Sequence, residues 1–175
     1  MTEPTVEVPD HGITADQFPL EAKVTQEQVD AAVETVRRLA GWHIWPERDD
    51  TLKVDAPGDP MVFLPTKMLT EVYSLTVDGK DVPVGELDWS QDGMVWVAGL
   101  RPNRTGRPRR VVAKVRHGND GPGDLLALVK VMAGRGGAPN QSLQVGRISV
   151  GAPGAMTPQS TEWRIIDQFK LGPMP

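Results

Sequence analysis

The chain has 175 residues, among them 18 Gly, 16 Pro, five Trp and no Cys, with a formal charge of −4. That length suffices for one domain that buries about 70% of its unfolded surface without disulfides or metal. The lack of cysteine excludes thiol catalysis, thiolate metal sites and a disulfide framework, and the mild acidic balance argues against wholesale nucleic-acid binding.

Residues 1–22 carry Glu3, Glu7, Asp10, Asp16 and Glu21 and no Lys or Arg. With Pro4, Pro9 and Pro19 among them and no helical period, they are expected to form a flexible acidic arm. Met1-Thr2-Glu3-Pro4 lacks the basic start and apolar core of a signal peptide. No uncharged run approaches the roughly 20 residues of a membrane span, so a soluble protein made in a reducing compartment is expected.

A helix is predicted over residues 25–40. Thr25 and Gln28 form a capping box, Val29, Val33, Val36 and Ala40 share one face, and Gly41 ends it. Gly41-Trp42-His43-Ile44-Trp45-Pro46 follows, with two readings: Trp42 and Ile44 close the end of the core, or one indole stays outside as a contact anchor. Both hold together if one indole points in and one out.

From about residue 50 to 117 the period becomes two. Lys53–Asp55, Met61–Leu64, Val72–Val77, Glu86–Ser90, Met94–Ala98 and Arg110–Arg116 read as short strands, with hairpin turns at Asp78-Gly79 and Asp92-Gly93. Residues 101–117 hold seven of the 19 basic residues and no acid. The first part, Leu100–Arg109, is a Pro/Gly-punctuated loop with Arg101, Arg104, Arg107 and Arg109. In the strand that follows, Val111, Ala113 and Val115 face one way and Arg110, Lys114 and Arg116 the other. The stripe is either a solvated loop and strand face or a phosphate-facing surface.

A second helix is predicted over 124–133, with Asp124 as its N-cap and Gly134 as its end. Leu125, Leu126, Leu128, Val129 and Met132 leave it almost no polar face, which suits a central core helix or a subunit interface. Residues 134–160 are Gly/Pro/Ser/Gln-rich and expected to be irregular. A short helix is predicted over 161–169, followed by an extended apolar tail over 169–175.

No phosphate-binding loop, nucleophile elbow or His-Glu-x-x-His helix is present, and His11, His43 and His117 lie far apart. The paired carboxylates Asp49-Asp50 and Glu86/Asp88 suit turn and exposed-strand positions. No catalytic residue, cofactor or metal is expected, and the chain is not read as an enzyme.

The order helix, Gly41-Trp42-His43-Ile44 with Pro46, Leu64-Pro65-Thr66 leading into Val72–Val77, then His117-Gly118, resembles the head-to-tail adaptor (connector) proteins of tailed phages of actinobacteria. Ile165-Ile166-Asp167-Gln168-Phe169-Lys170-Leu171 before Pro173 is similar to that family's C-terminal signature. The likeness covers about residues 23–175. Asn119 departs from it, since the family often has an aromatic after His-Gly, and residues 134–160 match weakly.

The resemblance implies an α+β fold, a small helical bundle with an inserted antiparallel β-domain, with an adaptor domain over 23–168. It implies a structural protein of the virion neck, made in the host bacterial cytoplasm. Such subunits form a ring, expected to be a dodecamer, between the portal protein and a stopper or tail-completion protein, and genomic DNA passes non-specifically through the bore. No membrane is involved. The family's C-terminal segment docks on the portal, which assigns Ile166, Phe169, Leu171, Pro173, Met174 and Pro175 to that contact. Trp42, Ile44, Trp45, Leu126 and Val129 are then subunit-interface or core residues. Arg101, Arg104, Arg107, Arg109 and Arg110 are the candidate DNA-facing set, or else meet solvent or a neighbour's acidic arm. The alternative function is a nucleic-acid-binding β-domain that uses the 101–117 stripe, with Trp42, Trp89 or Trp96 as stacking platforms.

Overall fold

A computed structural model describes residues 9–136, 143–145, 148–150 and 158–172. The chain divides into two compact units: Met1–Ala40 with Gly121–Gln168, and Gly41–Asp120 with Phe169–Pro175. The first holds the helices and the second seven strands, so the β unit is an insertion within the helical one and the fold is mixed α+β.

In the helical unit, α1 (Gln26–Ala40) begins at the predicted capping box. The Gln28 N–H donates to Thr25 Oγ1 (3.4 Å), and the Thr25 N–H donates to Gln28 Oε1 (3.0 Å). Each side chain thereby satisfies a backbone donor that the first helical turn leaves unpaired. Val29, Ala32, Val33, Val36 and Ala40 are buried, and α1 packs against α2 (Gly123–Gly136).

The N-cap of helix α2 lies two residues before the expected Asp124. Pro122 O accepts the Leu126 N–H (3.0 Å), which makes Pro122 the cap and puts Asp124 inside the first turn, its Oδ1 bonded to the Leu125 N–H (2.8 Å). An acid in that turn still meets the positive end of the helix dipole. The helix also runs past Gly134 to Gly136. Leu125, Leu128, Val129, Met132 and Ala133 are buried, Leu126 is half-buried, and Val131 remains 54% exposed. In α3 (Ser160–Phe169), Glu162 pairs with Arg135 of α2 (2.7 Å) and accepts the Gln159 N–H at the helix start, and Ile166 is fully buried.

Two regions differ from expectation. Residues 10–22 are not a free arm. They run as two short 3-10 turns, Ala15–Gln17 and Leu20–Ala22, and are fastened to α1. His11 and Ile13 are buried, the His11 ring lies 2.9 Å from the Asp30 carboxylate, and Arg37 pairs with Asp10 (3.3 Å). The Gln26 side chain accepts the Ala15 N–H and donates to Ile13 O. Asp10 thus neutralises a helix arginine, and burial of Ile13 supplies the apolar gain. The rest of the expected arm, residues 1–8, lies outside the described residues. Within the stretch read as irregular, Leu143–Val145 and Ile148–Val150 form an antiparallel hairpin, β8–β9, because alternating apolar residues flank a two-residue spacer.

In the β unit, β1 (Arg48–Ala56), β7 (Arg109–His117), β3 (Leu69–Val77) and β4 (Lys80–Val82) form an antiparallel sheet in that order. A second sheet runs β2 (Met61–Phe63), β6 (Met94–Val97), β5 (Leu87–Trp89). Asp78 and Gly79 both have positive φ (50° and 80°), the two-residue turn that matches the twist of the β3–β4 hairpin. Gly93 has φ 80°, and a Cβ there would sit 2.6 Å from Thr66 O, so only glycine closes the β5–β6 turn without strain. Val111, Ala113 and Val115 point into a core shared with Leu69, Val72, Leu75, Val95 and Val97.

Candidate functional site

The C-terminal segment is rooted on the β unit. The last carbonyl groups of a helix have no intrahelical donor, and Trp42 supplies one: its Nε1–H donates to Phe169 O at 2.6 Å. Phe169 and Leu171 are half-buried, and a Cβ on Gly41 would meet Leu171 Cδ1 at 3.7 Å. The predicted free tail therefore does not begin at Phe169. Of the residues assigned to the portal contact, Ile166 is core, Phe169 and Leu171 are partly covered, and Pro173, Met174 and Pro175 lie outside the described residues. Both indoles of the Trp42–Trp45 motif are inside, at 6% and 2% exposure, and Ile44 is fully buried. Trp42, Ile44, Trp45 and Val129 thus serve the chain's own core, and no external anchor remains in that motif.

Beneath Trp42 lies a cluster that sequence reading misses. The register Arg48↔His117 brings the end of β7 against the start of β1. The His117 ring then stands 6.4 Å from the Trp42 ring and 5.7 Å from that of His43, whose Nε2 is 2.6 Å from Pro46 O. His117 is 1% exposed, and neither ring nitrogen has a hydrogen-bond partner among the described residues; Asp50 Oδ2 is 3.6 Å from its Nε2. Burial holds its pKa below the ordinary histidine value, with the Asp50 charge opposing that shift. Burial alone would raise the Asp50 carboxyl, but the Arg48 hydrogen bond (2.7 Å) and the Thr51 N–H bring it below its usual value. Asn119, where the family pattern often has an aromatic, ties the end of this strand to the Trp42–Trp45 motif. Its backbone and side-chain N–H groups both reach Ile44 O (2.7 and 3.1 Å). No group of three or more His, Asp or Glu among the described residues is placed to hold a metal.

The arginine stripe divides in two. Arg109 pairs with Asp78 (2.7 Å) and donates to Arg101 O (3.1 Å), so it fastens the loop to the β3–β4 turn and is not free to face DNA. The Arg109 hydrogen bond holds the Asp78 carboxyl below its usual range. Arg116 pairs with Glu47 (3.1 Å). On the sheet, Arg110 stands opposite Asp55, while Arg116 has Asp49 on one side and Glu71 on the other. That face is a mixed-charge surface instead of a basic one. Exposed guanidinium groups concentrate at Arg101, Arg104, Arg107 and Arg110. Elsewhere on the β unit, Trp96 (45% exposed) lies opposite Met61, and Trp89 is 36% exposed. An apolar groove of about 450 Å³ is lined by Val54, Ala56, Pro57, Met61, Phe63 and Pro65, among others. No described helix is long and apolar enough to cross a membrane.

No protein-family profile and no curated protein matches the chain. Solved structures with a similar fold include a chain from the virion of a native gene transfer agent particle, at TM-score 0.53 and 17% identity over 96% of this chain and 87% of that one. A chain from the neck of an empty gene transfer agent particle, computed with C6 symmetry, aligns at TM-score 0.52 and 17% identity over 86% of this chain and 79% of that one. At this identity the likeness is one of fold.

Proposed function

We propose that the chain is a structural neck subunit of a phage-like particle, a head-to-tail adaptor. In this reading copies assemble into a ring, a dodecamer, that joins the portal to a stopper or tail-completion protein and continues the DNA channel. The observation that carries it is the fold likeness to neck and virion chains across nearly the whole length. An α+β chain with an inserted sheet unit and a C-terminal segment rooted at one residue supports the same reading. The portal contact is assigned to the residues from Leu171 onward, Pro173, Met174 and Pro175 included, with Phe169 as their root. Exposed Trp96 and Val131 are candidates for contacts between subunits, because unpartnered apolar side chains gain most from assembly. Arg101, Arg104, Arg107 and Arg110 are assigned to a neighbour's acids or to solvent, since a conduit that gripped phosphates would hinder DNA passage.

Electron microscopy of the purified protein, alone and with portal, tests the reading. A closed ring seated on the portal is expected, and a strictly monomeric protein that ignores the portal overturns it. The nucleic-acid-binding alternative loses Arg109 and Arg116 to Asp78 and Glu47 and Trp42 to the core. Absence of DNA binding at low salt would end it.

A further inference from the structure

A buried imidazole normally finds partners for both nitrogens, because a buried polar atom without a partner has lost its water for nothing. His117 has none within hydrogen-bond distance among the described residues, yet it is 1% exposed, and its ring centroid is 6.4 Å from that of Trp42 and 5.7 Å from that of His43. The charged and titratable groups that face it are Asp50 and Arg48 of β1 and His43 of the preceding loop. From β3 its register partner is the apolar Leu69. Asp50 is already engaged by Arg48 and the Thr51 N–H. Its Oδ2 is just beyond bonding distance of the ring. Trp42, whose ring neighbours that of His117, is the residue that holds Phe169 O.

We propose that His117 is an acid-sensitive latch for the C-terminal segment: a proton on its ring loosens Trp42 and frees Phe169 and the residues that follow. The neutral ring is a tilted neighbour of the indole. A charged ring must draw Asp50 in or admit water, and either movement displaces the two rings beside it. Asp50 is the natural acceptor of the new N–H, so the opened state has a defined partner and is not mere unfolding. The latch acts within the single chain. Its consequence for portal docking rests on the proposed function, but its test does not.

The full-length protein is followed by hydrogen exchange of the peptide spanning 165–172 between pH 7.5 and 5.0, after correction for intrinsic exchange rates. The exchange-competent population is expected to rise about tenfold per pH unit below about 6.5, until the native pKa of His117 is reached. In His117→Phe the same peptide is expected to show no such rise, while peptides of α1 exchange as in the parent. A corrected profile that is flat in the parent, or equally steep in His117→Phe, overturns the latch. Should that variant fail to fold, the parent alone decides: the Trp42 indole N–H and the His117 ring carbons, followed by NMR, must titrate with one midpoint. Separate midpoints overturn it.

Discussion

Each terminal segment of the chain is fastened beside a buried histidine, and the two histidines are built differently. His11, 6% exposed, uses both nitrogens: Nδ1 accepts the Ile13 N–H (3.1 Å), which leaves Nε2–H to donate to Asp30 (2.9 Å). His117, 1% exposed, uses neither. The contrast separates two meanings of burial. A satisfied imidazole fixes a neighbouring segment with directional bonds and gives it one geometry. An unsatisfied one contributes shape alone, and its packing is conditional on remaining uncharged. The N-terminal segment is accordingly held by directional bonds, whereas the C-terminal root rests on the packing of a ring without hydrogen bonds among the described residues.

The largest effect is expected on breaking the C-terminal root itself. Trp42→Ala removes a buried indole and the donor to Phe169 O and should cost about 3–5 kcal/mol in chemical denaturation. Trp42→Phe keeps most of the apolar volume and should cost only about 1–2 kcal/mol. Equal losses would mean that the bond to Phe169, not the packing, carries the site. Next comes the pH dependence. The native pKa of His117 is lowered, so its neutral form contributes fully above about 6.5. That contribution is lost as pH falls from there towards the lower native value, at about 1.4 kcal/mol per unit of depression. Asp30 titrates in a lower window: burial would raise it, but the Gln26 and His11 hydrogen bonds bring it below the ordinary aspartate value. Its contribution is present above that ordinary value, about 3.9, and fades only as pH falls beneath it. Urea unfolding between pH 7.5 and 3 should therefore show an early decline that His117→Phe removes, and a later one that it does not. Asp30→Asn comes third. It should cost about 1 kcal/mol and loosen residues 10–22 without touching exchange at 165–172.

These distinctions are only partly written in the sequence. The Thr25/Gln28 box and the Asp78-Gly79 turn are local signals that form where the pattern puts them, and each period-two stretch forms a strand with shifted ends, β1 starting at Arg48 and β5 at Leu87. Leu143, Val145, Ile148 and Val150 carry a hairpin pattern too, but the Gly and Pro around them mask it. The 10–22 fastening is hidden because Ile13 is its one fully buried apolar residue; Asp30, Gln26 and Arg37 complete it from a helix that sequence alone pairs with nothing. His43 and His117 are separated by almost the whole β insertion, and only the β1–β7 register brings them together. Charge runs mislead for the opposite reason. A row of basic letters says nothing about the acids that other strands set opposite them.

The smallest expected effect tests the same principle at the surface, where lacking a partner costs nothing because water supplies one. Arg109 is 30% exposed at its side chain and holds both Asp78 and Arg101 O, while Arg104 stands exposed in the loop. Arg109→Ala should destabilise by about 0.5–1 kcal/mol, the range of a well-placed surface ion pair. It should also free the Asp78 carboxyl to return towards its usual pKa, visible as an upward-shifted carbon titration. Arg104→Ala should fall within about 0.5 kcal/mol of the parent and leave Asp78 unmoved. If Arg104→Ala instead disturbs ring assembly while monomer stability is unchanged, its partner belongs to a neighbouring subunit. The guanidinium that looks idle in one chain would then be the one that reads the assembly.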